Sequence, residues 1–294
     1  MQYFAYLLLY PILYIISILP FRILYFFSDC VCFFVYRIIG YRKSTVRQNL
    51  DLALPHLSNE ERREIEKKFY KHLCDMFLEM IKTMSISVKD IESRFVFKNL
   101  EVYQDLESKN KSIAIMIAHY ASYEWVVSLN SKINYKGYAI YKKIENKYFD
   151  QLIHKIRSKF NAYLIKSYKA IDIIEENHKN NLLSVYGFAS DQTPLLTKAF
   201  YWRPFMGIEV PVHTGAEMLS KKYDMNIMFL KVKKIKRGYY EAELEVLSDN
   251  ASSIPNYQIT DMFTDRVEKQ IYEAPEFYLW THKRWKHRGK KPTN

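Results

Sequence analysis

In the stretch Ala118-His119-Tyr120-Ala121-Ser122-Tyr123-Glu124, an imidazole and a carboxylate stand five positions apart, directly after the apolar run Ser112–Ala118. On a continuous helix that offset turns the two side chains about 140° from each other, so they cannot share a face. They can meet if His119 sits in a loop leaving a strand and Glu124 lies in the first turn of the next helix. The carboxylate then accepts the N–H of one ring nitrogen, fixes the tautomer and stabilises the imidazolium, leaving the other nitrogen free as a base. A hydroxyl held against that nitrogen loses its proton as it attacks a thioester carbonyl, which is general-base acyl transfer without a covalent enzyme intermediate. The pair taken alone also fits a structural role, since a histidine after a strand is commonly a satisfied packing residue.

The elements that must position this pair are legible in outline. Ser112–Ala118 and Leu182–Tyr186 are short continuous apolar runs, the pattern of strands buried on both faces. Asn226–Val232 reads as a third strand, and Tyr240–Leu247 alternates glutamates with apolar residues, as a strand with one wet face does. Between them Tyr148–Phe160, Gly215–Lys222 and Thr260–Tyr272 read as helices. Upstream, Ser58-Asn59-Glu60-Glu61 has the spacing of a capping box, followed by Ile65, Phe69, Leu73 and Phe77 on one helical face with Met76, Met80 and Met84 beside them. Strands alternating with helices predict an α/β layered domain, with a mixed, largely parallel sheet flanked by helices.

The N-terminus is of another kind. From Tyr3 to Phe21 there are nineteen residues without a charge, close to the roughly twenty that cross a bilayer core as a helix. A second apolar stretch, Ile23–Tyr36, carries Asp29, is too short to span and reads as a helix along the interface; a buried hydrophobic hairpin is the alternative. No basic residue precedes the first run and no small-residue cleavage site follows it, which does not fit a cleaved signal peptide. Arg22, Arg37, Arg42, Lys43 and Arg47 all follow, placing the body on the cytoplasmic side. The expected division is an anchor over 1–40 and a catalytic domain over 41–294.

Composition agrees with a body that sits against headgroups: of 294 residues, 49% are apolar and 16% aromatic, with 25 Tyr and 18 Phe against 7 Gly. The formal charge of +12 suits nucleic acid, an anionic membrane or an acidic protein. With no recognition motif and no concentrated basic helix, nucleic acid is disfavoured. Denser basic patches at Lys231–Arg237 and Lys283–Lys291 read equally as solvated surface. Cys30, Cys32 and Cys74 offer no zinc spacing or disulfide framework and are expected reduced and buried. No metal or cofactor is called for.

The His119–Glu124 block resembles the His-x4-acid signature of membrane glycerolipid acyltransferases, and the chain around it is similar to one branch, the late (secondary) acyltransferases of lipid A biosynthesis. The likeness runs in order through Tyr41-Arg42-Lys43…Asn49-Leu50…Leu54-Pro55, the Ser58–Arg63 helix start and the His119 block. Tyr141-Lys142-Lys143-Ile144-Glu145-Asn146 with Arg157 follows, then Ala189-Ser190-Asp191-Gln192, Phe205-Met206-Gly207 with Thr214-Gly215, and Pro275-Glu276…Leu279-Trp280…His282-Lys283-Arg284-Trp285-Lys286. The resemblance implies His119 as general base, Glu124 as its orienting carboxylate, and Arg157 and Asp191 near the substrate headgroup. Gln192 ends the same strand, and Lys142, Lys143 and Asn146 are weaker residues for the headgroup rim. It further implies an acyl carrier protein as donor, an anionic glycolipid as acceptor and a place at the inner membrane. Lys142-Lys143 stands where the branch often has a basic-Pro pair, Phe205-Met206-Gly207 lacks one aromatic, and Leu195–Arg203 contains no Gly; these departures bear on the acceptor and the acyl length. Another glycolipid or phospholipid acceptor fed by acyl-CoA, and a non-catalytic binding protein on the same fold, are the competing readings.

Overall fold

Ile113, Ala114 and Met116 are each fully buried, and the strand they form is the hub around which the rest is laid down. The structure is a computed structural model that describes residues 2–292; the outermost residues of the two expected segments, 1–40 and 41–294, lie outside it. The chain begins with α1 (Gln2–Ile18), α2 (Phe21–Phe33) and a π-helical turn, Phe34–Ile39, followed by α3 (Lys43–Ala53), α4 (Asn59–Lys82) and α5 (Val88–Arg94). Then come β1 (Phe95–Phe97), α6 (Leu100–Glu107), β2 (Ile113–Ile117), the 3-10 segment Tyr123–Ser131, β3 (Lys136–Tyr141), α7 (Lys147–Arg157), β4 (Tyr163–Lys166), α8 (Ala170–Lys179) and β5 (Ser184–Ala189). The hairpin β6 (Tyr201–Phe205) and β7 (Ile208–Val212), α9 (Gly215–Lys222), β8 (Asn226–Lys236), β9 (Tyr239–Ser248) and α10 (Gln258–Glu273) complete it.

The seven-stranded sheet has the order β1-β9-β8-β2-β5-β3-β4. All pairings are parallel except β8 with β9, so the mixed, largely parallel α/β sheet expected from the apolar runs is what forms. Parallel strands need crossovers that cover both faces, which is why β2 and β5 are continuous apolar runs. The β6–β7 pair is a separate antiparallel hairpin. It closes through Met206 and Gly207, both at positive φ (52° and 76°), as a two-residue turn matching the strand twist requires.

The capping box forms as read: Glu61 N–H donates to Ser58 Oγ, and Ser58 N–H to Glu61 Oε2 at 2.7 Å. The helix it starts is not simply amphipathic. Along its length α4 buries Glu66, His72, Asp75 and Glu79 beside Phe69, Tyr70 and Leu78, whereas Phe77 is exposed. These ionisable groups are paired. Arg237, in the β8–β9 turn, binds Asp75 at 2.6 Å and Asp29 of α2 at 2.7 Å, and Glu79 accepts the hydroxyls of Tyr25 (2.8 Å) and Tyr240 (2.9 Å). Asp29, the lone charge of the second apolar stretch, is thus the α2 end of a clamp. Gly238 completes it: its φ is +75°, and a Cβ there lies 2.0 Å from the Tyr25 hydroxyl oxygen.

Two expectations are corrected. The uncharged N-terminal run does not form one helix: α1 ends at Ile18, Pro20 cannot donate a helical N–H, and α2 starts afresh at Phe21. Among the described residues no single helix is long and apolar enough to cross a membrane, although Phe21–Ile39 with Lys43–Ala53, bent by 90°, passes together by length and composition. Nor are the cysteines all buried; Cys74 is, Cys32 is partly so and Cys30 is exposed, and all three are free. The basic patches are absorbed only in part, with Lys231 on Glu273, Lys234 and Arg237 on Asp75, Arg284 in the core and Lys291 on Glu209. Lys233, Lys236, Lys283, Lys286, Arg288 and Lys290 remain solvated surface.

Because Asp75 is 1% exposed, truncation of Arg237 leaves its carboxylate only the Ser28 hydroxyl at 2.7 Å and the more distant Lys234 at 3.7 Å. Arg237→Ala is expected to cost about 3 kcal/mol of unfolding free energy, read from the denaturant midpoint of the purified protein, and to loosen α2 before the sheet in amide hydrogen exchange.

Candidate active site

β2 and β5 are parallel neighbours in register, Ile117 opposite Ala189, and the ladder extends one step further through Ser190 N–H to the Ile117 carbonyl at 3.2 Å. The next residues, His119 and Asp191, therefore leave the sheet side by side at its carboxyl edge, where open α/β sheets gather their sites. Asp191 Oδ1 accepts two hydrogen bonds from His119, one from its backbone N–H at 3.0 Å and one from ring Nδ1 at 2.7 Å. The Asp191 side chain is 1% exposed and the imidazole 20%. With Nδ1 committed to the carboxylate, Nε2 has no hydrogen-bond partner among the described residues. Burial by itself pulls the imidazolium pKa down; the Asp191 charge and hydrogen bond outweigh it, Glu124 adds to them, and the net shift is upward. Burial likewise opposes the Asp191 anion, but the facing His119 and its N–H hold the carboxyl below its ordinary value.

Glu124 lies in the first turn of the 3-10 segment, as expected, yet its carboxylate does not take the His119 ring N–H. It forms a bidentate pair with Arg157, the last residue of α7: Nε to Oε2 at 2.9 Å and Nη2 to Oε1 at 2.6 Å. The reason is geometric and electrostatic. Asp191 is already anchored by the His119 backbone, and a planar guanidinium satisfies both oxygens of Glu124 where a neutral imidazole can satisfy one. The backbone between the two residues turns sharply, Ala121 taking φ +49° with its N–H donated to the Phe277 carbonyl at 2.9 Å, which separates the two carboxylates' tasks. The Tyr123 ring meets the imidazole edge-on at 4.9 Å. Arg157 Nη1 makes no bond among the described residues, so the guanidinium keeps a donor edge for an anion.

The remaining sequence candidates scatter. Asn146 accepts the N–H groups of Tyr148 (3.1 Å) and Phe149 (3.4 Å), capping α7 and thereby setting the helix that carries Arg157. Lys142 and Lys143 are exposed, with no carboxylate within 4.0 Å among the described residues. Gln192 is half-buried beside Asp191.

A part of the site that the sequence motifs did not reveal is the C-terminal strap. Leu279 N–H donates to the His119 carbonyl at 3.1 Å, Tyr278 bridges Tyr120, and Thr193 N–H donates to His282 Nε2 at 3.2 Å. Burial drives the His282 pKa down to about 4, so it stays a neutral acceptor. Arg284, 2% exposed, donates to the Pro211 carbonyl at 3.1 Å and lies over the Phe205 ring. The strap thus ties the His119 loop, the Asp191 loop and the β6–β7 hairpin together. The Pro275–Lys286 block pointed to importance, but no spacing in it announces those partners.

A sequence model of a family described as bacterial lipid A biosynthesis acyltransferase matches residues 1–287. The chain belongs to that family. It is accordingly an acyltransferase of lipid A biosynthesis. Among curated proteins it is similar to a lipid A biosynthesis palmitoleoyltransferase of Escherichia coli (strain K12), 23% identical over 285 residues that cover 92% of this chain and 87% of that one. A lipid A biosynthesis acyltransferase of Shigella flexneri matches with the same identity and coverage. The match reaches across α1 and α2 as well as the sheet, so both the apolar N-terminus and the dyad fall within the family pattern.

In a proton NMR titration of the acyltransferase, His119 is expected to titrate above the ordinary imidazole value of about 6.5. In Asp191→Asn it should fall below that value, because burial remains while the countercharge is gone. His282 should stay neutral until the pH approaches about 4, and lower still in Asp191→Asn, where the carboxylate favouring its charged form is gone.

Proposed function

We propose that this acyltransferase moves a fatty acyl chain from an acyl carrier protein thioester to a hydroxyl of a lipid A precursor, with His119 as general base and Asp191 as the carboxylate that orients it. The observation that carries this reading is the 2.7 Å Nδ1–Asp191 bond with Nε2 left free at the carboxyl edge of the sheet. In the reaction Nε2 takes the acceptor hydroxyl proton, the oxygen attacks the thioester carbonyl carbon, and the carbon–sulfur bond breaks. The departing thiolate recovers the proton from the imidazolium, so the enzyme ends as it began. The Asp191 anion stabilises that imidazolium between the two steps. Glu124 serves the site through Arg157, whose free edge meets a phosphate or sugar carboxylate of the acceptor. Gln192, next to Asp191, and Lys142, just after β3, complete a polar rim for that anion.

The N-terminal residues 1–40 act as the membrane-facing anchor of a catalytic body over 41–294. Phe4 is 74% exposed, Leu8 71% and Phe26 70%, and Ile38 and Ile39 continue the apolar surface at the end of the π-helical turn. Such a surface suits the headgroup–acyl boundary, with α1 and α2 lying in the interface. Arg37, Arg42, Lys43 and Arg47 on its flank fit anionic headgroups of the cytoplasmic leaflet of an inner membrane. Tyr6 stacks on Tyr148 at 5.6 Å, so the anchor packs directly on the helix that ends in Arg157.

The test is turnover of an acyl carrier protein thioester with a tetra-acylated lipid A precursor, products read by mass spectrometry. His119→Ala is expected to abolish transfer with the fold retained. Asp191→Asn should lower kcat by about 10²–10⁴, the range of a lost general base, and Glu124→Gln should raise the acceptor KM more than it lowers kcat. The acid limb of kcat/KM should lie above the ordinary imidazole value, since only neutral His119 accepts a proton. Wild-type-like turnover in His119→Ala would refute the mechanism.

A further inference from the structure

Away from the dyad, α7, the end of β4 and the 3-10 turn Ser167–Lys169 enclose an open groove of about 850 Å³. Its walls carry Lys143, Lys147, Lys155, Lys166 and Lys169, with His154 among them. None of these lysines has a carboxylate within 4.0 Å among the described residues, whereas Lys111, Lys132, Lys179 and Lys231 each have one. Lysines such as Lys68, Lys233 and Lys283 are unpaired as well among the described residues, but here five share one groove. The one acidic side chain of the lining, Asp150, is turned inward. Its Oδ1 accepts the Ile144 N–H at 2.9 Å and its Oδ2 the Tyr141 hydroxyl at 3.3 Å. Like charges gathered without counterions destabilise a fold by mutual repulsion. Such a cluster is explained by what it meets rather than by what it holds up.

We propose that this groove docks an acidic protein face, and on the reading above that protein is the carrier presenting the acyl thioester; the inference rests on that reading of the donor. Three features choose a protein over a lipid headgroup or a membrane. The groove contains no arginine and, apart from Gln151, no amide side chain, so it offers mobile point charges rather than the planar forks that fix phosphates or sugar acids. Lysines on a broad rim suit steering and docking of an oppositely charged macromolecule. The groove also faces away from the anchor. At about 100° per residue, its α7 residues centre roughly 140° from Tyr148 and Phe149, which meet α1, with Lys155 at the margin nearest Tyr148.

Position supports the assignment. Tyr141 and Lys166 are paired in register at the last residues of β3 and β4, at the carboxyl edge that also carries His119 and Asp191. The order β2-β5-β3-β4 puts β4 three strands from β2, on the order of 15 Å at about 4.8 Å per strand. A carrier seated there delivers a tethered thioester along the sheet edge to Nε2, past Arg157, while the acceptor approaches from the anchor side.

The experiment uses the full chain with Lys147→Glu, Lys155→Glu, Lys166→Glu and Lys169→Glu combined, and two donors: acyl carrier protein thioester and acyl-pantetheine. The expected result is a rise of about tenfold or more in KM for the carrier thioester. The steep salt dependence of the wild-type KM should flatten, and turnover of acyl-pantetheine should stay within twofold of wild type. An unchanged carrier KM in the variant, with wild type using the carrier well, overturns the groove and leaves the donor reading standing. A parallel loss with both donors, or loss of binding to anionic vesicles, overturns it in favour of an acceptor or membrane site. A wild type indifferent to the carrier and active with acyl-CoA removes the donor reading and this inference together. Should the charge-reversed chain fail to fold, the same four positions changed to Gln decide by the same readouts.

Discussion

The site depends on one hydrogen bond that could not exist without the sheet: Nδ1 of His119 to Oδ1 of Asp191, made where two adjacent parallel strands end together. The bond sets the tautomer, raises the imidazole's affinity for a proton and keeps a buried carboxylate ionised. Each half supports the other against desolvation, because an isolated charge at that depth costs more than the pair does. The His119 backbone N–H on the same oxygen adds a constraint that neither side chain supplies, tying the loop's path to the carboxylate. Around this bond the C-terminal strap works as a brace, reaching His119 through Leu279 and the Asp191 loop through His282.

The second carboxylate has a different task. By engaging Arg157 with both oxygens, Glu124 fixes the end of α7 against the segment after β2 and presents a guanidinium near His119. α7 is in turn capped by Asn146 and covered by the aromatic face of α1. The apolar N-terminus is therefore joined to the Arg157 side of the site by direct packing. The Arg237 clamp does the same for α2, pinning an apolar helix to α4 through charges rather than through its exposed rings. An apolar surface left outward and a charged seam turned inward reverse the usual arrangement, and they suit a body that meets lipid on one side.

Much of the framework was legible. The continuous apolar runs marked β2, β5 and β8 because strands covered on both faces have no polar side, and the Ser58–Glu61 box marked the start of α4 because its two reciprocal bonds are local. The N-terminal run misled on one point: counting uncharged residues ignores that Pro20 interrupts the backbone, so nineteen apolar residues became two helices. The partner of His119 misled for the opposite reason. Glu124 is near in sequence, and the strand order that brings Asp191 nearer in space is written nowhere in the spacing.

What the sequence by itself determined is the chemistry available: one imidazole after a buried strand, acidic residues and an arginine in a fixed order, and an apolar N-terminus. Those are properties of residue types and local periodicity, which act over a few neighbours. Only the tertiary structure decided which carboxylate holds the imidazole and which holds the arginine. It also drew part of the dense basic runs near 231–237 and 283–291 into ion pairs and core, while gathering lysines scattered from 143 to 169 into one uncompensated groove. The physical reason is common to all three. Charge pairing and desolvation act over a few ångströms of space, and residues far apart along the chain become neighbours only when β5 lies beside β2 and β4 closes the edge.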